Sequence, residues 1–372
     1  MPAEGGFPWH RAFHPLCGAD PLTLASLVAR RGAPSLRGAP TLAVAALMSL
    51  MRAPFTLAEA ALDAGLGDPA QPPVFVVGHP RSGTTHLHNV LAASGAFGLV
   101  PPVIATLPWE RRSIGPLMRP LVEPRLPATR LIDGVAMHGE DPTEDEIGLA
   151  NMGPLSYFHA LYFPSRFAED WEEGLLQEGP PRRQARRARA IRGYVRRMAA
   201  RSPGAPLLLK NPAYTAQVPQ LLRLFPGARV IHIRRDPRAV FASTRRSLRI
   251  VLSEMALQDW REVDIEAAVL RTYPQVMARL REGAEGLPEG AFTEVAFEDL
   301  VADPAATLEG LWHRLALPGG AEALGRARAY CESLSSFRPS DNPLTPSEEA
   351  LLRRRWPREL ADYGTLSAAA GE

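Results

Sequence analysis

The stretch VFVVGHPRSGTTHLHNVL, residues 74–91, constrains this chain more than any other. Residues 74–78 are a short apolar run rich in β-branched side chains, the pattern of a buried parallel strand. Gly78-His79-Pro80-Arg81-Ser82-Gly83-Thr84-Thr85 follows, and a helical pattern runs from Thr84 to Ala93 with Leu87, Val90 and Leu91 on one face. Strand, glycine loop and helix start in this order build a phosphate loop. The glycines let backbone N–H groups turn inward around an anion, and the helix N-terminus adds unpaired donors and the positive end of its dipole. A plain glycine turn into a helix accounts for neither the spacing nor the hydroxyl pair.

A Walker A loop reads GxxxxGK[ST]. Here Thr84 stands in the lysine position, and the cation comes three residues earlier as Arg81. The usual contact to β and γ phosphates is therefore missing. The loop reads as an anion site whose ligand is not a Mg-nucleoside triphosphate.

The rest of the chain supplies partners for such a strand. LLLK at 207–210 and VIHI at 230–233 are two further buried-strand candidates, and Val295–Phe297 is a third. Pro219–Phe225 and Ala239–Arg249 suit helices. Thr143 with Glu146 has the capping-box form, and a helix is expected around 143–163. Asp303-Pro304 and Thr345-Pro346 read as helix starts. Strands alternating with helices imply an α/β fold: a P-loop-type doubly wound parallel sheet flanked by helices, with a helical N-terminal segment. We divide the chain into that segment (1–72), the main domain (73–364) and a flexible tail (365–372). Pro and Gly at Gly32, Pro34, Gly38, Pro40 and Pro54 break the N-terminal segment. Within it Thr41–Met51 reads as a buried helix or as an amphipathic face for lipid. Residues 98–135 give no clear pattern.

Composition narrows the function. Lys and Arg number 42 against 40 Asp and Glu, a net charge of +2, which argues against a nucleic-acid partner. All but one of the basic residues are arginines; the single lysine is Lys210. A lone surface arginine therefore means little here. Cys17 and Cys331 are too few for a disulfide framework, and no Cys/His cluster suggests a metal. The N-terminus lacks a basic region followed by an apolar one, and no run approaches the ~20 residues that span a bilayer. These features suit a cytoplasmic protein.

Pro80-Arg81-Ser82-Gly83-Thr84-Thr85 resembles the 5′-phosphosulfate loop of sulfotransferases that use 3′-phosphoadenylyl sulfate (PAPS). A second block, Arg229 to Ser243, strengthens the resemblance. In that family an arginine at a strand end and a serine eight residues later hold the 3′-phosphate, and Arg235 and Ser243 have this spacing. LLLKNPAY (207–214), FEDLVADP (297–304) and RWPRELADYG (355–364) resemble a large bacterial branch. The resemblance implies transfer of a sulfuryl group from PAPS, as co-substrate, to a hydroxyl or amine of a small or lipid-like acceptor. It implies no metal. Arg81, Ser82, Gly83, Thr84, Thr85, Arg235 and Ser243 would contact PAPS.

Arg81 would also stabilise the leaving phosphate oxygen. Some branches place a glutamate base soon after the 5′ loop, but Val100-Pro101-Pro102 there carries no carboxylate. His138 lies at a separation from Arg81 similar to that of the histidine base in the cytosolic branch, so the resemblance makes it the first candidate for the general base, and an imidazole titrates in the right range. Glu144, Asp145 and Glu146 are the next candidates, unless they only cap a helix. His86 is close to the loop, and His79 reads as packing. Lys210 ends a strand at the edge where parallel sheets hold ligands. Tyr157, Phe158, Tyr162 and Phe163 line an apolar pocket or belong to the core. The arginine-rich 182–201 segment reads as an exposed amphipathic helix built around Ile191, Tyr194, Val195 and Met198. Two rivals remain at this level. One is a P-loop kinase or phosphotransferase. The other is a non-enzymatic peripheral protein that uses the arginine helix and the oily N-terminal segment on a membrane.

Overall fold

The computed structural model describes residues 14–123, 132, 139–153, 155–334 and 343–369. The chain begins with α1 (Pro21–Arg31) and α2 (Ala39–Asp63), then reaches β1 (Val74–Val77) and α3 (Thr84–Ala93). Six helices lead to the second strand: α4 (Pro102–Thr106), α5 (Ile114–Val122), α6 (Glu146–Met152), α7 (Phe158–Tyr162), α8 (Phe167–Leu176) and α9 (Pro181–Ala199). After β2 (Leu208–Lys210) come α10 (Val218–Leu224), β3 (Arg229–Arg234), α11 (Pro237–Met255), α12 (Ile265–Ala284) and β4 (Phe292–Ala296). The chain closes with α13 (Phe297–Ala302), α14 (Pro304–Leu315), α15 (Gly320–Ser333), α16 (Pro346–Arg355) and α17 (Pro357–Ala369).

The four strands pair in the order β2-β1-β3-β4, all parallel. Alternate side chains of each strand feed different cores, as the period of two demands. Phe75, Val77, Leu209 and Val230 join Ile191, Tyr194 and Leu221 on one face. Val74, Val76, Leu208 and Ile231 join Leu87, Leu91 and Leu311 on the other. This is the doubly wound sheet expected from the alternation. The chain leaves β1 for β2 on one side and later returns to β3 on the other. That reversal opens a crevice beyond the carboxyl end of β1.

Several local readings change. Pro54 does not break α2; it sits inside the helix, on its exposed side, where a missing backbone bond leaves a carbonyl to water. Gly32 does end α1, in a positive-φ conformation. The 143–163 region holds two short helices, and no side chain caps α6. Glu146 is drawn instead into an ion pair with Arg187 (2.6 Å), both buried. β4 starts at Phe292, because an edge strand alternates in burial and hides its first residues from an apolar-run reading. α17 runs past residue 365 to Ala369, into the expected tail. At α16 the Thr345/Glu348 capping box forms in full.

α9 buries Ile191, Tyr194, Val195 and Met198. Its arginines are mostly ties rather than a free basic stripe. Arg192 and Arg196 reach Asp68, while Arg197 reaches Asp63 and stacks over Trp109.

Candidate functional site

The loop after β1 is held from both sides. The Gly78 N–H donates to Thr215 Oγ1 (2.8 Å), and Thr244 Oγ1 on α11 donates to the Pro80 carbonyl (3.1 Å). The Ser82 N–H closes the turn on the His79 carbonyl (3.0 Å). Arg81 has φ 75°, a left-handed conformation rare for a side-chain-bearing residue and typical of functional turns. Gly83 has φ 102°, and a Cβ there would come within 2.4 Å of the Phe297 ring. Glycine is required at that position by packing as well as by backbone. The first turn of α3, Thr84 and Thr85, then presents its N–H groups to the crevice.

The second block meets this loop directly. Arg81 Nε donates to Ser243 Oγ (3.1 Å), and Arg235 Nη1 donates to the Arg81 carbonyl (3.4 Å). The Arg235 guanidinium lies 4.6 Å over the Phe297 ring. Burial chiefly pushes its pKa down, with the charge of Arg81 adding to the fall and the carboxylate of Glu298 opposing it. Two guanidinium groups held together around a glycine loop favour an anion between them. Ser82 Oγ is buried with no hydrogen-bond partner among the described residues, a donor available to a ligand.

A cavity of about 360 Å³ opens beside the loop. Arg81, Thr84 and Thr85 line it, together with Glu144 and Lys210. Lys210 stands opposite Val76 at the end of β2, with its side chain 4% exposed. Its Nζ pairs with Glu144 Oε2 at 2.6 Å, and Glu144 Oε1 accepts from the Tyr157 hydroxyl. The rest of the wall is largely apolar. It includes Phe158, Leu161 and Trp171, and one face of α11 through Leu248, Val251 and Met255.

The acidic trio therefore splits. Glu144 faces the cavity and Glu146 is paired with Arg187. Asp145 is buried, and desolvation pushes its carboxyl well above the usual range. His79 is buried against Tyr273, and burial takes its pKa down to about 4. His86 packs on Phe297 and does not line the cavity. His138 lies outside the described residues.

Sequence reasoning missed the second layer: Thr215, Thr244 and the Phe297 ring, which fix the loop. It also missed Asp141 and Glu254 in the cavity wall. The α11 residues had a legible signal, since Thr244, Leu248, Val251 and Met255 fall at helical spacing on one face.

Comparison with known proteins agrees with this geometry. The family described as the sulfotransferase family matches residues 72–320. The chain is 30% identical over 303 residues to the omega-hydroxy-beta-dihydromenaquinone-9 sulfotransferase Stf3 of Mycobacterium bovis, covering 79% of this chain and 76% of that protein. The Mycobacterium tuberculosis protein of the same name matches equally. Two solved structures share the fold. The sulfotransferase STF1 of Mycobacterium tuberculosis superposes with a TM-score of 0.64 at 17% identity, over 90% of each chain. STF9 of Mycobacterium avium gives 0.62 at 18% identity, over 87% of this chain and 89% of its own. With strand, anion loop and crevice in place and the family match spanning the whole sheet, the chain belongs to the sulfotransferase family and is a transferase enzyme.

Proposed function

We propose that the enzyme transfers the sulfuryl group of PAPS to a hydroxyl on a lipid-like acceptor whose apolar part sits in the cavity. One observation carries this reading. The Arg81–Ser243 contact joins both phosphate blocks at a cavity that also holds the Glu144–Lys210 pair and an apolar wall. The relative's name specifies an omega-hydroxylated menaquinone derivative, and an alcohol at the end of an apolar molecule suits such a wall.

In this reading the loop N–H groups, Ser82, Thr84, Thr85 and Arg81 hold the 5′-phosphosulfate. Arg235 and Ser243 hold the 3′-phosphate. PAPS supplies a sulfuryl group on a good leaving phosphate. Glu144 takes the proton of the acceptor hydroxyl as the acceptor oxygen bonds to sulfur and the bond from sulfur to the bridging phosphate oxygen breaks. Negative charge gathers on that bridging oxygen, and Arg81 with the loop donors stabilises it. Lys210 positions Glu144 and offers its ammonium to a sulfonate oxygen. Tyr157 fixes the second carboxylate oxygen. Carboxylate bases of this kind work when held within hydrogen-bond reach of the hydroxyl they deprotonate.

The test incubates the enzyme with radiolabelled PAPS and omega-hydroxylated isoprenoid quinones. Label is expected in the lipid product, and Glu144→Gln is expected to abolish transfer while leaving nucleotide binding intact. Label that never leaves PAPS would overturn the acceptor class. Full turnover by Glu144→Gln would pass the base role to His138.

A further inference from the structure

α2 is built inside out. Its buried positions are Thr41, Ala45, Ser49, Arg52, Thr56, Glu59 and Asp63, at spacings of three and four. All its charged side chains are among them. Arg52 pairs with Glu110 (2.6 Å) and donates to the carbonyls of Cys17 and Ala19. Glu59 accepts from the backbone N–H groups of Arg112 and Ser113, and Asp63 accepts from Arg111 and Arg197. The polar face thus grips the main domain.

The outward face is wholly apolar. Leu47, Leu50, Met51, Phe55, Leu57 and Leu62 are between 46% and 72% exposed, whereas core residues of this size are usually covered. The remaining exposed positions of the helix are alanines and prolines. α5 follows directly on Ser113, which is bonded to Glu59, and adds Leu117 and Leu121 at 65% and 54% exposure. A helix of 25 residues is about 37 Å long. No side chain capable of a hydrogen bond points outward over that length. Contiguous apolar surface on this scale marks a docking site.

We propose that α2 lies flat on a lipid bilayer, with its outward face in the acyl boundary and α5 beside it. Two observations favour a bilayer over a protein, and a third fixes the flat orientation. Protein interfaces mix polar and hydrogen-bonding groups into an apolar patch, and this face has none. Exposed cations stand at its two ends: Arg37 precedes the helix, and Arg112, 48% exposed, sits beside its C-terminal end, while the exposed Asp68 beyond that end is neutralised by Arg192 and Arg196. Apolar centre and basic flanks match the acyl region and anionic headgroups of a membrane. Lastly, the buried ion pairs of Arg52 and Asp63 and the backbone bonds of Glu59 rule out a spanning orientation, which would strip those charges from their partners. The helix is long and apolar enough to cross a membrane by composition, yet its charged stripe ties it to the domain.

The placement also bears on the acceptor. Arg52 holds the Cys17 carbonyl, inside the short turn Pro15–Gly18, and the Ala19 carbonyl just after it, and Pro15 of that turn lines the cavity. A bilayer-bound α2 would set the cavity near the membrane from which a lipid-like acceptor comes. This link rests on the function proposed above; the docking itself rests on α2 alone.

Flotation of the full-length enzyme with vesicles of phosphatidylcholine and phosphatidylglycerol tests it. The wild type should float with the vesicles, and more weakly without the anionic lipid. Leu50→Ser and Phe55→Ser should each reduce binding about tenfold, the cost of an exposed apolar side chain withheld from lipid. Both variants should keep the melting shift given by 3′-phosphoadenosine 5′-phosphate (PAP), which separates lost docking from lost fold or lost nucleotide binding. A wild type that stays in the aqueous fraction overturns the proposal. So does a stable dimer in solution that Leu50→Ser dissociates, since the face would then belong to a second copy.

Discussion

Lys210→Met removes the ammonium from a pair with 4% and 17% exposed side chains, leaving Glu144 shielded and with Tyr157 as its remaining neighbour. Breaking a buried pair from one side costs about 3–5 kcal/mol, and the partial exposure of Glu144 puts the expectation at about 3. That corresponds to a fall in Tm of roughly 4 °C for a chain of this size. Glu144→Gln strands Lys210 in the same way but leaves an amide oxygen to accept from it, so its cost is lower, at about 2 kcal/mol. The double variant Glu144→Gln/Lys210→Met contains no stranded charge. It should return to within about 1 kcal/mol of the wild type. Turnover should follow a different pattern. All three variants should lose at least about 100-fold in kcat, because neither charge is restored at the reacting atoms. PAP affinity should change little, since PAP lacks the sulfonate. Urea unfolding, calorimetry and radiolabel transfer read the three quantities separately. Wild-type turnover in Lys210→Met would refute the reasoning, as would a double variant as unstable as the two single costs combined. Lys210→Arg is a sharper case: the charge survives on a longer planar group, so stability should hold while turnover falls.

The buried histidines make stability depend on pH. Burial lowers the pKa of His79 to about 4 and of His88 to about 3, against 6.5 for the ordinary side chain. The unfolded chain therefore binds the extra protons first. The stability is present in full above about pH 6.5 and is lost as pH falls towards 4 for His79 and towards 3 for His88, about 2 kcal/mol per histidine at pH 5. Urea unfolding at pH 7 and pH 5 should show this, and His79→Asn should flatten the slope; an unchanged slope would count against burial of a neutral His79. Trp356 is fully buried, stacks on Tyr273 at 4.4 Å between ring centroids and donates to the Leu270 carbonyl. Trp356→Ala should cost about 3–5 kcal/mol in chemical denaturation, and a loss under 1 would show that the C-terminal helices do not seal this core.

The phosphate loop was legible because its chemistry is local. Gly78, Gly83, the strand before them and the helix after them lie within one short stretch, and each has a single conformational reason. The β strands were legible where both faces are buried, as in β1 and β3, and obscured in β4, where an edge position mixes exposed and buried residues. The Thr143/Glu146 pattern misled because a carboxylate finds the stronger partner available. Glu146 left its own helix end for Arg187, 41 residues away in sequence. Pro54 misled because a proline matters only where its missing bond is buried. α2 was ambiguous for a deeper reason. Apolar periodicity identifies a helix face but not the medium that face meets, and here the core took the polar face. The joining of Arg81 to Ser243 spans 162 residues; spacing within each block gave its parts, and only the fold put them in contact.

In the proposed function these two blocks form one site for a 3′,5′-bisphosphorylated adenosine. Calorimetry without Mg tests it directly, comparing PAP with 5′-AMP on the wild type and on Arg235→Ala. We predict that the wild type binds PAP at least about 100-fold more tightly than 5′-AMP, as a charge-assisted arginine contact to the 3′-phosphate requires. Arg235→Ala should collapse that preference while leaving 5′-AMP binding nearly unchanged. Equal affinities in the wild type, or a preference that survives Arg235→Ala, would contradict the account.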